Sequence, residues 1–152
     1  MTASRLKEIM DTVRQQSDLK PVVDAQGRVL TTFCNIGLDR VLGLCGIPRM
    51  VDAVGQPLMA NAMIDSMRAN SDRWTPVSGD VACARASQGL LVVACQQEAG
   101  HGHVCPVYPA AMQMSGSYGK DVPMVSNIGR TVGVMRVSQA FKTEPEYYAS
   151  KI

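Results

Sequence analysis

Two histidines and five cysteines bound the acid–base and nucleophilic chemistry open to this chain. Cys34 stands between an extended approach, Arg28–Phe33, and a helical stretch ending at Gly46 and Pro48. Leu38, Val41, Leu42 and Cys45 follow it at offsets of four, seven, eight and eleven, one helical stripe. A cysteine at a helix N-terminus meets unpaired N–H groups and the positive end of the helix dipole, which favours its thiolate. Cys34 is therefore a candidate nucleophile. The competing reading is a small buried hydrophobe, the usual state of a free cysteine.

A nucleophilic cysteine needs a base, and only His101 and His103 are available, both in Gly100-His-Gly-His-Val-Cys105. An imidazole takes the thiol proton and returns it to the leaving amine. His103 opens a predicted strand, which would hold its backbone, whereas His101 sits in a glycine-flanked turn. A third polar group that fixes the imidazole tautomer is expected from a neighbouring strand. Asn127 in Met124-Val-Ser-Asn fits best; Ser126 points to the opposite face, and Asp121 and Asp39 are weaker choices. His101, His103 and Cys105 share one strand face and, with Cys34, form a possible zinc set. Against it, Cys105 lies in an apolar strand beside Pro106. Both histidines being structural is the remaining alternative. Trp74, Tyr108 and His101 are candidate cleft-wall residues, although a lone tryptophan more often anchors a core.

The elements that position these residues follow from periodicity. Leu6, Ile9, Met10 and Val13 predict a helix over 4–16. A second runs from about Leu58 to Asn70. A short helix over 81–88 is capped by Ser78 or Asp80 and stopped by Gly89. Leu90–Cys95 is a continuous apolar run, expected as a strand buried on both faces. Val104–Tyr108 pairs with it as a hairpin, with Pro106 marking an edge or bulge. Residues 109–121 read as loop and 122–129 as a third strand. Val134–Phe141 is ambiguous between strand and helix, and Tyr147-Tyr148 is expected to end the sheet. Helices followed by strands indicate an α+β fold.

At 152 residues, one domain spanning 1–152 is expected. A net charge of +2 with no basic run gives no reason to expect nucleic acid. No apolar run reaches the ~18–20 residues of a membrane span, so no membrane insertion is expected. The polar stretch Met1–Lys20 lacks a secretory signal core, so synthesis in the cytoplasm is expected. No C-x-x-C pair occurs. Ten methionines are read as adaptable core filling.

Several segments, in order, resemble a known family: Thr32-Phe-Cys-Asn35, Gly46-Ile-Pro48, Ala60-Asn-Ala-Met-Ile-Asp65, Ala86–Ala94, Gly102-His-Val104 and Pro123-Met-Val-Ser-Asn127. Together, over about residues 30–130, they resemble the compact papain-like peptidoglycan amidases of the NlpC superfamily. The nearest branch is the small type VI secretion amidase effectors, with related phage lysis enzymes. The resemblance implies a papain-like cysteine hydrolase, its nucleophile at a helix N-terminus packed on an antiparallel sheet. It implies cleavage of a peptidoglycan stem-peptide amide, commonly D-glutamate–diaminopimelate, with Cys34 as nucleophile, His103 as base and Asn127 in a third slot that varies in the family. N-acetylmuramoyl-L-alanine amidase or endolysin activity is the alternative within this chemistry; a non-catalytic interaction protein or a zinc site lies outside it. No cofactor is implied. A monomer is expected, acting at the cell wall after secretion or lysis, with a cognate immunity protein as a possible partner. The chain departs from the family at Cys105-Pro106, in the added His101, and in lacking an Asp just before the nucleophile.

Overall fold

A computed structural model describes residues 1–152. In chain order the elements are α1 (Ala3–Arg14), β1 (Val22–Val23), β2 (Val29–Thr31), α2 (Cys34–Leu44), α3 (Ala60–Ala69), β3 (Trp74–Val77), α4 (Gly79–Ser87), β4 (Val92–Gln96), β5 (His103–Pro106), β6 (Gln113–Ser115), β7 (Lys120–Val122), β8 (Met124–Ile128), β9 (Val132–Arg136), α5 (Val137–Ala140) and β10 (Glu146–Ser150). A single 3₁₀ turn, Ser17–Leu19, follows α1. The architecture is mixed α and β, and every strand pairing is antiparallel.

The four-stranded sheet, in the order β3-β10-β4-β5, divides two hydrophobic clusters. β4 sends Val93 and Cys95 into one and Val92 and Ala94 into the other. It is the doubly buried strand that its apolar run predicts. On one face lie the stripes of α1 (Leu6, Ile9, Met10, Val13), α2 (Leu38, Val41, Leu42) and α3 (Met63, Ile64, Met67). Each such side chain contributes about 1.5–3 kcal/mol on leaving water. The α2 stripe is the predicted one as far as Leu42; Cys45 is only half-buried. On the other face, Ala82 and Ala86 of α4 and Phe141 cover the sheet. Ser78 caps α4 by accepting from the Val81 N–H at 3.4 Å, as its position predicts.

β5 is a sheet edge, and Pro106, which has no N–H to give a ladder, sits on it. Beyond it, β8 comes alongside. The Tyr108 N–H donates to the Met124 carbonyl at 2.8 Å, and Val107 bridges Val125. β8 then pairs fully with β9.

Three expectations need correcting, and one ambiguity resolves. Residues 109–121 are not all loop: β6 and β7 form a hairpin there. It lacks an apolar alternation because its residues are largely exposed. Residues 18–27, which Pro21 and the Gln26-Gly27 turn predict as loop, hold β1, which pairs with β2. Val134–Phe141 is both strand and helix in succession, split at Val137. Tyr147 and Tyr148 do not end the sheet: β10 lies between β3 and β4, and Tyr147 and Tyr148 face opposite clusters.

Candidate active site

α2 begins at Cys34. Its N-cap, Phe33, has no side chain that accepts a hydrogen bond, so the first N–H groups are not capped from the side. Asn35 is spent structurally: its Nδ2 donates to the Leu58 carbonyl at 3.0 Å, tying α2 to the approach of α3. Cys34 is 8% exposed and packs in the first cluster. Its sulfur faces the backbone N–H groups of Val104, Asn35 and Cys34 itself. The ladder explains Val104: the Val107 N–H points to β4, so by antiparallel alternation the Val104 N–H points away from it, off the open edge of β5.

His103, the residue before Val104, is half-buried. Its Nε2 lies 2.6 Å from Asn127 Oδ1. The asparagine amide is itself oriented, since Nδ2 donates to the Thr131 carbonyl at 2.8 Å. Oδ1 therefore faces the imidazole as an acceptor, Nε2 carries the proton, and Nδ1 keeps a free lone pair. The Phe141 ring lies 5.0 Å from the imidazole at 50°. A Cβ on Gly129 would stand 3.1 Å from His103 Cε1 and 3.4 Å from Asn127 Nδ2; only glycine leaves the pair this room.

The turn before His103 is clamped by α3. Asn61 Nδ2 donates to the Glu98 carbonyl at 2.7 Å, and Asn61 Oδ1 accepts from the Glu98 N–H at 3.3 Å. Gln97 Nε2 donates to the Asn61 carbonyl at 3.1 Å and to Asp65 at 2.7 Å. Gly102 passes so close that an added Cβ would meet Asn61 Oδ1 at 2.3 Å.

Burial sets the protonation of both groups. It pushes the Cys34 thiol above its ordinary value, and the three N–H groups offset this only in part. Burial also lowers His103, against the opposing bond to Asn127. The resting pair is thus a thiol and a neutral imidazole. The thiolate expected from the helix N-terminus is overridden by desolvation. No hydrogen bond joins Cys34 to His103. Strand alternation turns Val104 toward the first cluster, with Cys34, and His103 toward Phe141 on the other side. Thiol and imidazole therefore approach the open β5 edge from its two sides. Beside Cys34 lies a cavity of about 10 Å³, lined also by Gly37, Val104, Ser126 and Ile128; it holds at most a water.

No protein-family model matches the chain, and no curated protein does.

Of the residues expected at the site, the fold joins His103 to Asn127; Cys34 lies beside Val104, on the opposite face of β5, and touches neither. The fold does not bring Trp74 to them. That ring is 4% exposed, in the core at the start of β3. Three strand steps separate β3 from β5, about 14 Å. Tyr108 is committed elsewhere: its hydroxyl donates to Asp11 of α1 at 3.0 Å, with Lys7 and Arg14 over the ring. His101 is exposed on the turn. The zinc set fails as well. No group of three His, Cys, Asp or Glu side chains converges as a metal requires, because Asn127 holds His103 and Cys105 is buried in the second cluster. Ser126 faces away from Asn127 as expected, and accepts from Arg14 at 3.0 Å. Asp39 is paired with Arg49, and Asp121 is exposed on β7.

Thr131, Gly129, Phe141 and Asn61 were not foreseen as site residues. Asn61 carried a signal, since it lies in the Asn-Ala-Met helix that carries the family resemblance. The other three act through a backbone carbonyl, a missing side chain and a ring ten or more residues away in sequence, none of which forms a motif.

Proposed function

We propose that this protein is a cysteine hydrolase of papain-like type that cleaves an amide in the peptidoglycan stem peptide, with Cys34 as nucleophile and His103 as base. The observation that carries the chemistry is the His103–Asn127–Thr131 relay. An asparagine fixed from behind by a carbonyl holds Nε2–H and leaves Nδ1 basic. The choice of peptidoglycan rests on the ordered resemblance of residues 30–130 to the NlpC-superfamily amidases. D-Glutamate–diaminopimelate is the favoured bond and muramoyl–L-alanine the alternative.

In this reading the Cys34 thiol gives its proton to His103 Nδ1 as Sγ bonds to the scissile carbonyl carbon. The oxyanion is met by the uncapped N–H groups at the start of α2. Such a donor is worth about 2.7–4 kcal/mol. The C–N bond breaks as His103 protonates the leaving amine. Water, deprotonated by His103, then hydrolyses the thioester and restores the thiol. The transfer requires the thiol and the imidazole, which face opposite sides of β5, to meet around its open edge when substrate is bound.

The burial of Cys34 favours a second reading, an interaction protein in which this thiol is core. Incubation of purified sacculi with wild type and Cys34→Ala, followed by mass spectrometry of released fragments, separates the two. The hydrolase releases fragments with a new amine and carboxylate at one stem bond, and Cys34→Ala, folded, releases none. Equal release by both proteins, or none by wild type, removes the assignment.

A further inference from the structure

A sheet edge is where a fold can take on a strand from another chain, and the edges of this protein are closed unevenly. The four-stranded sheet ends in β3 and β5, and each carries a proline, Pro76 and Pro106. The β1–β2 and β6–β7 hairpins have strands of only two or three residues. β9 differs from all of these. It is five residues long, pairs only with β8, and has neither a proline nor a charge before Arg136 at its end.

The ladder decides which of its backbone groups face outward. The Val137 N–H donates to the Pro123 carbonyl at 2.9 Å, and the Gly129 N–H to the Thr131 carbonyl at 3.2 Å. Alternation between these bonded pairs makes Val125–Met135 and Asn127–Gly133 bonded pairs as well. Val132 and Val134 therefore point their N–H and C=O groups away from β8. Neither residue takes part in a backbone hydrogen bond outside the hairpin. The Arg136 N–H, next along the same edge, is closed by the Gln139 side chain at 3.0 Å. Val132 and Val134 are 36% and 38% exposed, so the edge between them is open.

The side chains say what fits it. Val132, Val134 and Arg136 share one face of β9, and Arg130 stands in the turn just before them. Neither arginine takes part in a salt bridge; Arg136 donates only to the Met114 carbonyl, at 3.0 Å. Cations thus flank a pair of exposed valines. A second copy of this chain is a poor occupant. In the antiparallel register that uses both valines, Arg130 would stand opposite Arg136, and like charges directly opposite are destabilising. An extended segment with carboxylates opposite the arginines and β-branched residues between them complements the edge in charge, packing and hydrogen bonding.

We infer that the outer edge of β9 accepts an extended acidic segment of a partner protein as a further strand. The N–H and C=O groups of Val132 and Val134 hold its backbone, and Arg130 and Arg136 meet its carboxylates. The inference does not rest on the Cys34 chemistry.

The test is a titration of the folded full chain with the peptide Glu-Thr-Val-Thr-Val-Thr-Glu, blocked at both ends, followed by backbone amide NMR. Its pattern sets a carboxylate opposite each arginine in either strand direction. Saturable shifts at Val132 and Val134 are expected, with slower amide exchange at both. The same peptide N-methylated throughout keeps its charges, loses its N–H donors and should give no saturable shift. A version with lysine for both glutamates should bind roughly tenfold more weakly. Arg130→Glu, at an exposed position, should weaken the acidic peptide by a similar factor. No saturable shift from the acidic peptide, or equal binding of the lysine or N-methylated version, overturns the inference. Shifts at Val132 and Val134 that grow with protein concentration in the absence of peptide would make a second copy the occupant and overturn it as well.

Discussion

Asn127 Oδ1 accepts from His103 Nε2 at 2.6 Å only because the Thr131 carbonyl holds the other end of the same amide. The bond therefore has a direction, and it gives the imidazole one tautomer. Replacing Asn127 by alanine should lower kcat/KM on sacculi by about 10–100-fold, within the range of acid–base contributions. Asn127→Asp should not rescue activity, since it places a carboxylate oxygen against the Thr131 carbonyl. Full activity in Asn127→Asp would show that the direction of the amide is irrelevant.

The protonation states give a pH signature. His103 lies below its ordinary 6.5 in the fold, so the stability gained by keeping it neutral is complete above that value. It is lost as pH falls through the folded value. Cys34 lies above its ordinary 9.0, so its contribution is complete below that value and lost as pH rises through the folded one. The Tm of wild type should therefore fall at alkaline pH more steeply than that of Cys34→Ser. Iodoacetamide should alkylate Cys34 slowly at neutral pH and faster under alkaline conditions. Rapid alkylation at neutral pH would mean a resting thiolate.

Gly129→Ala should damage activity more than stability. Its Cβ would press on the His103 edge at 3.1 Å, and overpacking of this kind costs about 1–3 kcal/mol. The expected result is a kcat loss well beyond what the accompanying fall of a few degrees in Tm accounts for. Unchanged kcat would place the imidazole's working position away from Gly129.

Asn61→Ala should loosen the base without touching it. Both its bonds to Glu98 vanish, at about 1–2 kcal/mol. Amide hydrogen exchange over Gly100–Gly102 should quicken, while exchange in β10 stays slow. Equal protection in both proteins would show that the turn is held by other contacts.

The α2 stripe and the two-faced β4 could be read from sequence because a period of 3.6 and an unbroken apolar run are local signals. His103 and Asn127 were legible for a related reason: each sits on a short strand whose type its neighbours reveal. Trp74 misled because an aromatic ring carries the same identity in a core as in a cleft, and only the strand order separates them. The β6–β7 hairpin was invisible because its polar residues bury little. The protonation of Cys34 depended on the depth of its pocket, which no spacing encodes.

β10 is the last strand in chain order, yet it occupies an interior place, pairing with β3 on one side and β4 on the other. On a translating ribosome, β3 and β4 must wait for residues 146–150 to clear the exit tunnel before they can join. The Arg68–Glu146 ion pair waits with them. A nascent or prematurely terminated chain thus lacks the keystone of the sheet that carries His103.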